Sequence, residues 1–353
     1  MAFNNRNLHG AAVPVFIFLI LVSLASPSLA GSETDTPAHC AMTKEEGKCH
    51  DKGESLKLKL IAIITILVAS MIGVCLPMFS RSIPALRPDR NLFVLVKAFS
   101  SGVILATGYM HVLPDSFDCL TSECLPEDPW RKFPFTTFVA MLSAVATMMV
   151  DSFSMSLYKR HCSRSVVTER LENGNTSEHG QHHLKPHDET ESQLLRHRVV
   201  AQVLELGIIV HSVVIGLAMG ASDNHCTIRP LIAALCFHQM FEGMGLGGCI
   251  LQAEYKWKMK AIMIVFFSVT TPLGIVLGIG LSNVYSENSP TALIVVGLLN
   301  ACSAGLLNYM ALVDLLGSDF MGHKLQNNLK LQGWAYFAVL LGAGGMSLMA
   351  KWA

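Results

Sequence analysis

The chain has 353 residues, 51% of them hydrophobic and only 15% charged, against roughly 25% charged in an ordinary soluble protein. Twenty-six basic and 26 acidic residues cancel to zero net charge, which removes the electrostatic case for binding nucleic acid. The balance is uneven along the chain, because nearly half of the charges fall between Glu33 and Lys59 and between Lys159 and Arg198, leaving the remainder almost uncharged.

Taken in chain order, residues 1–30 carry one basic residue, Arg6, the apolar run Ala11–Leu24 and small residues before Gly31. That order predicts a cleavable signal peptide, followed by an extracellular segment over 31–57. Apolar runs of the roughly 20 residues needed to cross a bilayer then recur at Leu58–Phe79, Leu92–Leu113, Phe135–Tyr158, Val199–Gly220, Ile228–Leu251, Ala261–Ser282, Ala292–Leu315 and Trp334–Ala350. The expectation is an all-α polytopic membrane protein with eight transmembrane helices, three over 58–158 and five over 199–353. Gly216 and Gly220, and Gly243 and Gly247, are spaced four apart and should let helices approach closely.

Orientation follows from Lys and Arg beside short loops. Arg81, Arg87 and Arg90, Lys159 and Arg160, Lys256, Lys258 and Lys260, and Lys324 and Lys330 fall in odd-numbered connections. These are therefore expected in the cytoplasm and both termini outside, with Lys57 and Lys59 as the exceptions. On the oxidising side, Cys40 with Cys49 and Cys119 with Cys124 are candidate disulfide loops, with thiols or metal ligands as the alternative. The 159–198 connection is expected to be a disordered cytoplasmic loop. It holds His179, His182, His183 and His187, read as a solvated linker or a weak metal buffer.

Ionisable residues inside spans mark ion or substrate pathways by default. The fourth span carries Glu205, His211 and Ser212, the fifth His238, Gln239 and Glu242, and the third Asp151. By helical rise, His211 and His238 both reach the middle of a hydrocarbon core about 30 Å thick, and His238 and Glu242, four apart, share a face. Two imidazoles and a carboxylate meeting there suit a divalent cation such as zinc or ferrous iron. A hydrogen-bonded structural cluster is the alternative, disfavoured because no Lys or Arg lies at that depth to pair the carboxylate.

These segments resemble the ZIP (Zrt/Irt-like protein) family of divalent metal transporters, in its plant zinc and iron branch. The resemblance is carried by Met110-His-Val-Leu-Pro-Asp-Ser-Phe117, Glu127-Asp-Pro-Trp130, Glu205 to Gly220, Phe237 to Gly245, Asn300-Ala-Cys-Ser-Ala-Gly-Leu-Leu-Asn-Tyr-Met310 and Leu341-Gly-Ala-Gly-Gly345. It implies spans four and five sandwiched between two inverted three-helix repeats (3+2+3), a homodimer, and uptake of zinc, iron or manganese at the plasma membrane or an internal membrane. It assigns the transport site to His211, His238 and Glu242, flanked by Ser212 and Gln239. It puts Asp151 at the entrance and His111, Asp115 and Asp118 at an outer mouth that tunes metal choice. Ile215, Ser212, Gln239 and Thr271 stand where two-metal members carry further ligands, so a mononuclear site is expected.

No phosphate-binding GxxxxGK[ST] loop is present to couple ATP, and no HExxH. An intramembrane metalloenzyme or a metal-sensing receptor built on the same site are the competing readings. No resident cofactor is expected, since the ion is cargo, and the bilayer is the other partner.

Overall fold

The structure is a computed structural model that describes residues 51–79, 90–172, 186–282 and 289–351, with side chains described outside 157–192. The signal-peptide and N-terminal segments, Cys40, Cys49, His179, His182 and His183 lie outside the described residues, as does the side chain of His187. All eight apolar runs fall in helices, and no strand occurs among the described residues.

In chain order, α1 spans Lys52–Phe79 and α2 spans Asn91–Thr107. A π-helical turn, Gly108–Val112, carries α2 directly into α3, Leu113–Leu120. Then come α4 (Phe135–Glu172), α5 (Pro186–Ala221), α6 (His225–Gln252), α7 (Trp257–Leu281) and α8 (Pro290–Tyr309). Another π-helical turn, Met310–Gly317, leads through the short α9 (Ser318–Phe320) and α10 (His323–Gln326) to α11 (Leu329–Met349). Side chains mark several starts. Asp51 accepts from Gly53 N–H at 2.8 Å and Glu54 N–H at 3.3 Å, bonds that hold its carboxyl below the usual carboxylate range. Asn224 accepts from Cys226 and Thr227 N–H at the head of α6, as N-caps do.

Six of these helical segments are long and apolar enough to cross a membrane. The fifth and eighth runs, α6 and α11, are helices of 28 and 21 residues but fall outside that set. Glycine and polar side chains lower their hydropathy: Arg229, His238, Gln239, Glu242 and four glycines in α6, and Gln332, Trp334, Tyr336 and three C-terminal glycines in α11. The two described ends of the 159–198 connection are helical rather than disordered, residues 173–185 lying outside the described residues. Helix α4 runs on to Glu172 and α5 begins at Pro186, because extending an existing helix needs no new nucleus.

Four pairings dominate the packing: α1 with α6, α7 with α5, α2 with α11, and α8 with α4. Exchanging spans one, two and three for six, seven and eight, and four for five, converts the first pairing into the second and the third into the fourth. A repeat offset by five spans is inverted in the membrane, so this pattern is that of a 3+2+3 bundle. Of the three π-helical turns among the described residues, two obey the same exchange, one in span two and one in span seven, while Glu127–Arg131 lies in the connection before α4.

Each dominant pairing runs along a glycine. A Cβ on Gly73 of α1 would collide with the Met240 carbonyl of α6, and one on Gly102 of α2 with the Val339 carbonyl of α11. Gly305 of α8 lies as closely against the Ala140 carbonyl of α4. The expected glycine pairs do admit close approach, but not to each other. Gly216 and Gly220 of α5 face Gly274 and Gly278 of α7, whereas Gly243 and Gly247 of α6 face Val74 of α1. Spacing announced the seams and tertiary packing chose the partners.

Charged contacts collect at the two ends. At one, Lys59 lies 3.6 Å from Asp223, and Arg229 lies 3.0 Å from Glu54. The Lys59 exception to the charge rule is thus a paired, buried side chain. Cys124 and Cys226, both at this end, are disulfide-bonded, while Cys119 keeps its thiol. The expected Cys119–Cys124 loop is therefore not formed, since Cys119, on the last turn of α3, packs toward Gly297 of α8.

The glycine seams make a stability prediction. Gly73→Val should destabilise the detergent-solubilised protein by about 1–3 kcal/mol, as overpacking does, whereas Gly344→Ala, which meets nothing within 4 Å, should leave it unchanged. Thermal unfolding followed by tryptophan fluorescence measures both.

Candidate metal centre

The centre lies where α2–α3, α5 and α6 meet. His211 of α5 and His238 and Glu242 of α6 are buried at 1%, 0% and 0% exposure. A third imidazole joins them. The π-helical turn at the end of α2 puts His111, 4% exposed, with its ring centroid 5.5 Å from that of His211 and 5.8 Å from that of His238. The His211 and His238 centroids are themselves 5.8 Å apart, so the three rings form a nearly equilateral triangle.

That spacing is close to what one ion demands. With zinc–nitrogen bonds of about 2.0–2.1 Å in tetrahedral array, ring centres around a shared zinc would stand about 5.2 Å apart. Among the described residues no group of three or more His, Cys, Asp or Glu is arranged to hold an ion as the side chains stand.

Polar atoms in the centre lack protein partners. Both ring nitrogens of His211 and His238, Nε2 of His111, both carboxylate oxygens of Glu242, Oγ of Ser212 and Nε2 of Gln239 are buried without a hydrogen bond. Buried polar groups are ordinarily paired, and an unpaired buried carboxylate is costly. A hydrogen-bonded structural cluster would have shown these atoms bonded to one another. The donor set of neutral imidazole and carboxylate instead fits a divalent metal.

An outward file of acids leads to the centre. Asp115 Oδ2 lies 3.9 Å from His111 Nδ1, and Asp118 follows one turn further out on α3 and is exposed. His111 belongs to both parts of the sequence expectation: it ends this file, yet it sits in the triangle rather than at the mouth. The outer placement is what the resemblance implies; in the structure His111 lies within the π-helical turn and against both other imidazoles.

Asp151 of α4 is not with these residues. Its charged neighbours are Arg196 and Asp314, at the end of the bundle that carries the basic connections. It was expected at the entrance; α4 runs opposite to α2–α3 and delivers it to the other side. Further buried polar atoms without partners, Glu205 Oε1 on α5 and Ser268 Oγ and Thr271 Oγ1 on α7, flank the centre's helices. Thr107, beside Glu242, escaped the sequence reading because a lone threonine in an apolar run carries no signal of its own.

Comparisons with known proteins find close relatives named as metal transporters. A family profile described as ZIP zinc transporter matches residues 56–350. The chain is 59% identical to zinc transporter 7 of Arabidopsis thaliana, over 96% of this chain and 97% of that protein. It is 62% identical to Fe(2+) transport protein 1 of Oryza sativa subsp. japonica, over 87% of each. It is 56% identical to Fe(2+) transport protein 1 of Arabidopsis thaliana, over 96% and 97%.

If the unpaired atoms exist for a metal, removing them should not harm the empty protein. Glu242→Leu should leave metal-free thermal stability unchanged or slightly raised, while the rise in Tm on adding zinc disappears. A loss of more than about 2 kcal/mol in the metal-free state would instead mark the carboxylate as a structural hydrogen-bonding group.

Proposed function

The chain belongs to the ZIP family of zinc transporters, and from that premise we propose that zinc or ferrous iron crosses the membrane through the centre formed by His111, His211, His238 and Glu242. The protein is a multi-pass membrane transporter of divalent metal ions, not an enzyme. The observation that carries the site is the triangle of three buried imidazoles beside a buried carboxylate, with no hydrogen-bond partner for Nε2 of His111, for either ring nitrogen of His211 and His238, or for the Glu242 oxygens.

On this reading Asp118 and Asp115 gather the hydrated ion at the outer mouth, and His111 is the first group to exchange a water for a ring nitrogen. His211, His238 and Glu242 complete the shell, with Ser212 and Gln239 as flanking oxygen donors, in a mononuclear site. Ligation needs neutral imidazoles, so acid should weaken binding. Entry into an inside-negative cell is downhill, a divalent ion gaining about 4.6 kcal/mol per 100 mV, and no ATP is required. The histidines of the inner connection, His179, His182, His183 and His187, would receive the released ion.

The plasma membrane is the proposed location and a homodimer the proposed assembly. The transmembrane part of α4 supports the latter: only 11% of its most apolar window is buried within one chain, leaving a broad face for a second copy or for lipid.

Radiozinc and radioiron uptake into proteoliposomes tests the site. His211→Ala, His238→Ala and Glu242→Ala should each reduce uptake by more than about 100-fold, given that groups merely supporting a ligand contribute 10–100-fold. His111→Ala should fall with them. Uptake at the wild-type rate in His211→Ala and Glu242→Ala would sink the assignment.

A further inference from the structure

Helix α6 continues inward from the metal centre. Glu242, Leu246 and Cys249 follow one another at intervals of four and three and so lie along one face, which places Cys249 about 10 Å inward of Glu242. Leu246, between them, is completely buried. Beyond it opens a cavity of about 240 Å³ at the end of the bundle that carries the basic connections, lined among others by Lys97, Arg196, His197, Cys249, Asp314 and Asp319.

Lys97 is the anomaly of this cavity. It interrupts the apolar run of α2 and is only 8% exposed. A basic side chain within a span is retained only where it is paired and has work to perform, and on the way out for a dication an unpaired one would be a barrier. Its ammonium lies 2.9 Å from Asp319 Oδ1 and 3.3 Å from Gln252 Oε1. One side chain therefore joins α2, the end of α6 and α9. A second bridge, Arg196 to Asp314 at 3.5 Å, joins α5 to the π-helical turn just before α9.

We propose that Lys97, Gln252 and Asp319 form an ionic latch that closes the inner end of the route, and that an arriving divalent cation opens it. A dication in the cavity attracts the Asp319 carboxylate and repels the Lys97 ammonium, so its presence separates the pair. In its absence the pair re-forms, draws α2, α6 and α9 together and covers the cavity. The latch rests on the transport reading and adds to it a defined inner closure, distant from the metal ligands.

Cys249, 2% exposed and with its thiol free, reports on that closure. In inside-out vesicles containing the full chain, a membrane-impermeant maleimide reaches the cytoplasmic face, and modification at Cys249 is followed by mass spectrometry. Lys97→Met and Asp319→Asn should speed it roughly tenfold, equivalent to about 1.4 kcal/mol in the open–closed equilibrium. Lys97→Arg, which keeps the charge, should hold the wild-type rate. Asp319 is partly exposed, so its variant carries the test should Lys97→Met fail to reach the membrane. Labelling at the wild-type rate in the latch variants, with radiozinc uptake intact, overturns the latch and leaves the transport reading standing. Absence of uptake by the wild-type chain overturns the transport reading, while the labelling rates still decide the closure.

Discussion

The structure is organised around a carboxylate and three imidazoles buried in an apolar bundle, most of whose polar atoms have no hydrogen-bond partner. In a bilayer a helix satisfies its own backbone, so side chains are where polarity can be left unmet. Half of the unmet buried side-chain atoms among the described residues belong to this one cluster, Ser212 and Gln239 included. On the proposed reading the arrangement is tolerable because the set as a whole matches a cation that comes and goes.

The rest of the fold keeps those groups together and keeps other things out. Glycine seams draw α6 onto α1 and α5 onto α7 until backbone meets backbone, leaving no space for lipid or a larger side chain. The two central helices are thereby each backed by a close-packed neighbour, which fixes the separation of His211 from His238 and Glu242. The π-helical turn supplies the third imidazole. Such turns often occur at functional sites, and this one swings His111 toward α5 and α6 while Asp115 and Asp118 remain on the outer approach.

Much of this was legible in the sequence. The apolar runs set the helices, because hydrocarbon thickness fixes their length, and the four-residue interval between His238 and Glu242 put both on one side of α6. What escaped the reading depended on rotation or on partners remote in the chain. The resemblance gave His111 an outer place, and a 3.6-residue count could not show the π turn that holds it against His211 and His238. The glycine intervals were visible but their partners were not. Lys97 stood plainly in an apolar run, yet its meaning came only from Asp319, 222 positions away. Cys119 and Cys124 looked like neighbours fit to pair, until the last turn of α3 aimed the first at α8.

Both halves of the bundle carry a π-helical turn in the corresponding span, Gly108–Val112 in one and Met310–Gly317 in the other. Such a turn widens the helix locally and shifts which way the side chains within it point. One irregularity, placed at corresponding points of the two halves, thus presents an imidazole, His111, in one and a carboxylate, Asp314, in the other.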